Sequence, residues 1–147
     1  MIVRAVELAN RCPSACNRQP FACYVISDSV WQVFNKDSNQ VYNANKHLLI
    51  TGVKNAFSVD EIDDWIVSSS IFAGYLSLTL TLYGIGSCVI RKGIVDDASY
   101  AQMKGRCGIP ANEKVVLELV VGNLKEEFKV PLSNRKEIDS ILHFVKE

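Results

Sequence analysis

The chain has 147 residues, with 16 lysines and arginines balanced by 16 aspartates and glutamates. At 48% hydrophobic and 22% charged residues it is too apolar for intrinsic disorder, and a net charge of zero lacks the basic excess of an electrostatic nucleic-acid binder. The length suits a single domain, residues 1–147, with a sizeable core.

The first helix is expected from Ile2 to about Arg11, because Ile2, Val6 and Ala9 recur at helical spacing and Pro13 stops the run. Pro13 to Pro20 reads as a polar loop. Phe21 to Ile26 is aromatic and β-branched, so a strand is expected. Val30 to Phe34 suits a short helix after Ser27 or Asp28, and His47 to Val53 a second strand. The next stretch carries conflicting signals. Leu76, Leu78, Leu80 and Leu82 alternate with Ser77, Thr79 and Thr81, which is a strand period. Yet Asp60 to Asp64 is an acidic helix start and Gly84 a good helix stop. A helix from about Ile62 to Tyr83 fits both ends. Ser87 to Ile90 then reads as a short strand. Asp96 or Asp97 can cap a helix in which Tyr100, Met103 and Cys107 share a face, ended by Gly108. Lys114 to Val121 is apolar on both faces, with Val116 and Val120 flanking Glu118, so a central strand is expected. After Pro131, the spacing of Ile138, Ile141, Leu142 and Val145 fits a short amphipathic helix.

Arg4, Glu7 and Arg11 interrupt the N-terminal apolar pattern, so it does not read as a secretory signal. Five cysteines are an odd number, and a reducing cytoplasm is the simplest setting. Cys12, Cys16 and Cys23 have a spacing that fits neither a zinc site nor a radical cluster. His47 and His143 stand apart, and each reads as an ordinary surface or packing residue. Trp65 to Ile90 is 26 residues without a charge, long enough to cross a membrane. Its serines, threonines and glycines fit a buried or inter-subunit helix better, so no membrane partner is expected.

Three features could carry chemistry. Ser14, Asn17 and Gln19, between Pro13 and Pro20, offer groups that both donate and accept hydrogen bonds, which suits a heteroaromatic ligand. By composition alone the loop also reads as an ordinary helix-ending turn. Gly84-Ile85-Gly86-Ser87-Cys88 lacks the third glycine of a dinucleotide fingerprint and follows a helix, not a strand, so the Rossmann reading fails. What remains is a backbone that can approach a flat ligand, or a plain helix stop. Arg135, with Ser133, could hold a phosphate. No nucleophile–base pair or paired carboxylates appear, so hard chemistry would belong to a cofactor.

Taken in order, these features resemble the nitroreductase family of FMN-dependent oxidoreductases. Pro13-Ser14-Ala15-Cys16-Asn17-Arg18-Gln19-Pro20-Phe21 is similar to the family's Pro-Ser-x-x-Asn-x-Gln-Pro-aromatic motif. Ser70-Ile71-Phe72-Ala73 through Gly84-Ile85-Gly86-Ser87-Cys88 is similar to its long central helix and the glycine loop after it. Gly108-Ile109-Pro110, Glu113 to Val116 and Gly122 resemble its last helix-to-strand segment, and Arg135 falls where a phosphate-binding Arg is expected.

The resemblance implies an α+β fold, a mostly antiparallel sheet wrapped by helices, with the long helix at the interface of an intertwined homodimer. It resolves the conflict at Leu76 to Leu82 in favour of helix. It also implies that Pro13, Ser14 and Asn17 contact the flavin, often from the partner subunit, with Gln19 supporting the loop. Gly86 and its neighbour Ser87 would lie near the flavin's reacting nitrogen, and Arg135 at its phosphate. The implied reaction passes hydride from NADH or NADPH through FMN to a small acceptor such as a nitroaromatic or quinone. Three departures stand beside this. The chain begins in what corresponds to the helix after the family's Arg-x-Ser-x-Arg phosphate motif, Ser133 replaces a frequent Lys, and Gly74 and Tyr75 stand where polar residues are common. They imply an alternative, a catalytically degenerate nitroreductase-like binding or scaffold protein.

Overall fold

The structure, a computed structural model, describes residues 1–34, 44–58, 60–61, 63–90, 97–124, 126–127 and 134–145. Four strands, β1 (Phe21–Ser27), β2 (Lys46–Val53), β3 (Ile85–Ile90) and β4 (Glu113–Asn123), form one antiparallel sheet in the order β1-β2-β4-β3. Among the described residues four α-helices accompany them: α1 (Ile2–Ala9), α2 (Asp28–Phe34), α3 (Asp64–Leu82) and α4 (Asp97–Cys107). The fold is α+β, as the resemblance implied. β4 lies inside the sheet, which explains why its side chains are apolar on both faces.

Strand alternation divides the interior into two layers. On one face Leu48, Ile50, Leu119 and Val121 pack with Ala5 and Ala9 of α1 and Phe72, Leu76 and Leu80 of α3. On the other, Ile26 and Leu49 pack with Trp31 of α2 and Met103 of α4. The register between β2 and β4 shifts at Ile50/Thr51, a bulge that precedes the pairing of Thr51 with Val115.

α3 settles the conflict between strand period and helix boundaries. It buries Ser68, Ser69, Phe72, Ala73, Leu76, Thr79 and Leu80, which recur at three- and four-residue spacing. Its polar members are tied down. Ser69 Oγ donates to Trp65 O at 2.7 Å and lies 3.2 Å from Thr51 O, and Thr79 Oγ1 lies 3.0 Å from both Ala5 O and Leu76 O. The helix also comes close to β2 at Gly52, where a Cβ would meet Ser69 Oγ and Trp65 Cε3 at 2.7 Å. α3 is long and apolar enough to cross a membrane. Its packing on the sheet gives it a core position instead. It ends as expected at Gly84, whose φ of 71° is a left-handed conformation that glycine adopts without steric penalty.

Some expectations change. α1 stops at Ala9, two residues early, and α3 begins at Asp64. β3 begins at Ile85, so Gly86 belongs to a strand opposite Gly122 and not to a loop. Instead of an amphipathic helix, the C-terminal segment forms one short 3-10 turn, Ile138–Ser140. Among the described residues its apolar side chains find no surface to pack on: Ile138, Ile141, Leu142, Phe144 and Val145 are all exposed. Without a packed face a short amphipathic segment lacks the main source of helix stability. Ile62, Asp96, the side chain of Tyr100 and Lys129 to Ser133 lie outside the described residues.

Phe72 is 2% exposed and stacks on Phe21 with ring centroids 4.4 Å apart. Phe72→Ala is expected to cost about 3–5 kcal/mol in urea unfolding, because a rigid sheet on one side and α1 on the other limit collapse into the cavity.

Candidate functional site

Pro13 and Pro20 bracket a loop that is docked and internally bonded. The Pro20 carbonyl accepts from Val53 N–H at 2.8 Å, and Ala15 N–H donates to Ser68 Oγ of α3 at 3.1 Å. Ser14 Oγ accepts from Gln19 N–H at 3.0 Å, and the Ser14 carbonyl accepts from Asn17 N–H at 3.0 Å. The Ser14 hydroxyl hydrogen remains available to donate outward. The Gln19 side-chain amide donates to Asn17 Oδ1 at 3.2 Å. Cys16, Asn17 and Gln19 have φ of 50°, 53° and 47°. Left-handed backbone costs an ordinary L-residue roughly 1–2 kcal/mol, with asparagine the best tolerated of the three. Such strain persists where the surroundings over-determine the backbone.

Arg18 supplies much of that determination, and no motif or spacing pointed to its role. Its guanidinium donates to Glu61 Oε2 at 2.7 Å and to the Ala56 carbonyl at 3.1 Å, and lies 4.8 Å from the Phe57 ring centroid. Glu61 also accepts from the Ser58 backbone N–H and hydroxyl. These bonds, the Ser58 N–H first and Arg18 next, hold the Glu61 carboxyl below its ordinary pKa. Three partners from residues 56–61 thus grip one side chain amid three left-handed residues.

Gly86 and Ser87 lie elsewhere. Gly86 pairs with Gly122, Val121 pairs with Lys46, and Gly52, beside the loop, is six residues further along β2. At about 3.3 Å per residue the two groups are roughly 20 Å apart along the sheet. Ser87 Oγ instead meets Ser77 Oγ of α3 at 2.8 Å. Arg135 is exposed in the irregular segment before the 3-10 turn. One chain therefore gathers Pro13, Ser14, Asn17 and Gln19, but not these with Gly86 and Ser87.

A cleft of about 480 Å³ opens on the other flank of α3, between Trp65, Ile66, Ser70, Val89 and the 115–117 stretch of β4. It exists because β3 ends at Ile90 opposite Glu118, so this part of β4 has no strand on that side among the described residues. A second cleft, of about 410 Å³, lies between the start of α1 and the ends of β2, β3 and β4. Both volumes fall in the range of small-molecule sites.

The cysteines offer no nucleophile in the core. Burial pushes the Cys23 thiol up to about 12 and also raises Cys12, so both stay protonated. Among the described residues no group of three or more His, Cys, Asp and Glu could hold a metal ion.

His47 is more than an ordinary packing residue. It is 1% exposed, its Nδ1 lies 2.5 Å from Glu118 Oε1, its Nε2 lies 3.1 Å from Asp28 Oδ1, and its ring stacks on Trp31. A glutamate in the middle of an apolar strand was the legible signal. Its partners come from distant segments, which spacing does not reveal.

No family model matches the sequence, and no curated protein matches it. Solved structures do. The chain is similar to a nitroreductase with bound FMN from Bacteroides fragilis, at a TM-score of 0.78 and 15% identity, covering 99% of this chain and 87% of that one. It is similar to an FMN-dependent nitroreductase from Clostridium difficile, at 0.74 and 22% identity over 97% and 85% of the two chains. A nitroreductase family protein from Streptococcus pneumoniae gives 0.74 and 20% identity over 97% and 87%. The chain has the nitroreductase fold.

Arg18→Ala is expected to raise amide hydrogen exchange severalfold at Asn17 and Gln19 while leaving β2 protected. Exchange read by NMR or mass spectrometry checks this.

Proposed function

We propose that this chain is an FMN-dependent oxidoreductase that works in the cytoplasm as a homodimer, with hydride passing from NADH or NADPH through the flavin to a small nitroaromatic- or quinone-like acceptor. The observation that carries the reading is the preformed loop Pro13 to Pro20 on a fold shared, over nearly the whole chain, with FMN-dependent and FMN-bound nitroreductases. The donor set fits a flavin. Ser14 keeps a hydroxyl hydrogen, Asn17 and Gln19 are exposed amides, and prolines fix both ends.

FMN, when bound, supplies two-electron hydride chemistry that no side chain here provides. The chain's own part is to hold and orient. Pro13, Ser14 and Asn17 meet the ring system, and Gln19 stiffens the loop through its bond to Asn17. Gly86 and Ser87 bring an edge strand close to the reacting side, and Arg135 neutralises phosphate charge. Because the strained loop is formed in advance, little ordering cost falls on binding.

The homodimer reading rests on α3. Away from its buried stripe lie the exposed Val67, Gly74, Leu78 and Leu82. Leu78 is 69% exposed and Leu82 76%, and a Cβ added at Gly74 would meet nothing within 4 Å. A small residue in an apolar stripe allows two helices to approach closely. A second copy would also cover the exposed C-terminal apolar residues and bring one chain's loop toward the other chain's Gly86 and Ser87.

Titration with FMN is expected to give sub-millimolar binding, and NADH or NADPH to bleach the bound flavin. A soluble, folded protein that binds no flavin would instead support the scaffold reading. Asn17→Ala should weaken FMN about tenfold if one hydrogen bond is lost. Leu78→Glu should convert the dimer to monomer in light scattering.

A further inference from the structure

The second face of the sheet carries a buried charge cluster that flavin chemistry leaves unexplained. His47 stands on β2 between Ile26 of β1 and Val120 of β4, both apolar. Its ring is stacked against Trp31 with centroids 4.4 Å apart and planes at 10°. Among the described residues the charged groups that face it are Glu118 from β4 and Asp28 from α2. Further along the same face Tyr24 of β1 and Thr51 of β2 donate to the Glu113 carboxylate. Lys104 of α4 donates to the Ala111 and Glu113 carbonyls, and Cys107 is half-buried beside them.

The stoichiometry of protons constrains the ring. Neutral imidazole has one N–H and one lone pair, so it can donate to only one carboxylate. Here both ring nitrogens face carboxylate oxygens, an arrangement satisfied by the imidazolium with two N–H donors. The partners differ in their options. The Glu118 side chain is 3% exposed and its Oε2 has no hydrogen-bond partner among the described residues, whereas the Asp28 side chain is 38% exposed. Releasing Glu118 would leave a buried carboxylate without compensation, while Asp28 can exchange the ring for water.

We propose that His47 is a proton-controlled clamp on α2: the imidazolium bridges Glu118 in the sheet to Asp28 at the start of the helix, and loss of one ring proton releases Asp28 and loosens α2 with Trp31. α2 is seven residues long and too short to persist on helix propensity, so its order depends on tertiary contacts of this kind. The charge state is consistent with the surroundings. Burial opposes the imidazolium, but the hydrogen bonds to Glu118 and then Asp28 outweigh it and hold the ring above its ordinary pKa. A raised folded value means that the clamp's stabilisation is full below about pH 6.5 and is lost as pH rises through the folded value. Tyr24, held up to about 12 by burial and then by Glu113, stays neutral throughout.

The chain has two histidines, and exposed His143 gives an internal reference in ring-nitrogen NMR of the labelled full-length protein. At pH 6 both His47 nitrogens are expected to carry protons. The Trp31 indole signal should follow the same titration curve. Exchange of the peptide covering residues 28–34, corrected for intrinsic rates, should rise about tenfold across that transition, as expected for loss of one charge-assisted bond. Asp28→Asn, at a half-exposed position that does not threaten the fold, should show the raised exchange already at pH 6. A single protonated nitrogen at pH 6 overturns the proposal. So does a complete His47 titration that leaves α2 exchange unchanged. Neither outcome depends on flavin binding.

Discussion

The contact on which the structure depends is α3 against β2. Gly52 lets Trp65 and Ser69 lie directly on the strand, and from there Phe72, Leu76 and Leu80 fill one side of the sheet. A buried leucine or phenylalanine contributes roughly 1.5–3 kcal/mol, so this single stripe is a large share of the core. α3 also positions both parts of the candidate site. Ser68 holds Ala15 near its start, and Ser77 meets Ser87 nearer its end. The helix thereby sets the loop and the Gly86 strand at a fixed separation.

That separation is what makes a second copy of the chain necessary to the functional reading. Two groups suited to one flat ligand stand roughly 20 Å apart in one chain. An exposed apolar stripe on α3 and an exposed apolar C-terminal segment stand ready for another surface. The proposed second copy would answer both observations. The high apolar content of a short, neutral chain then fits a helix that is apolar on two faces, one inside the fold and one exposed.

Much of this was legible in the residues. Proline and glycine punctuation placed the loop and the end of α3, and two-faced hydrophobicity placed β4 inside the sheet. The alternation from Leu76 to Leu82 misled because serine and threonine can satisfy their hydroxyls on helix carbonyls, as Thr79 and Thr81 do, so a strand-like pattern is tolerated in a helix. The C-terminal helix failed because periodicity reports a possible face, not the surface needed to bury it. Arg18 and His47 were missed for another reason. Their partners, Glu61 and Ala56 for one and Glu118 and Asp28 for the other, meet only in three dimensions.

The most direct test of the central claim is sedimentation of the full chain with FMN, followed at both protein and flavin visible absorbance. Flavin is predicted to travel with a dimer, close to one per chain, and any monomer to sediment colourless. Flavin carried by a monomer with the same affinity would contradict the claim.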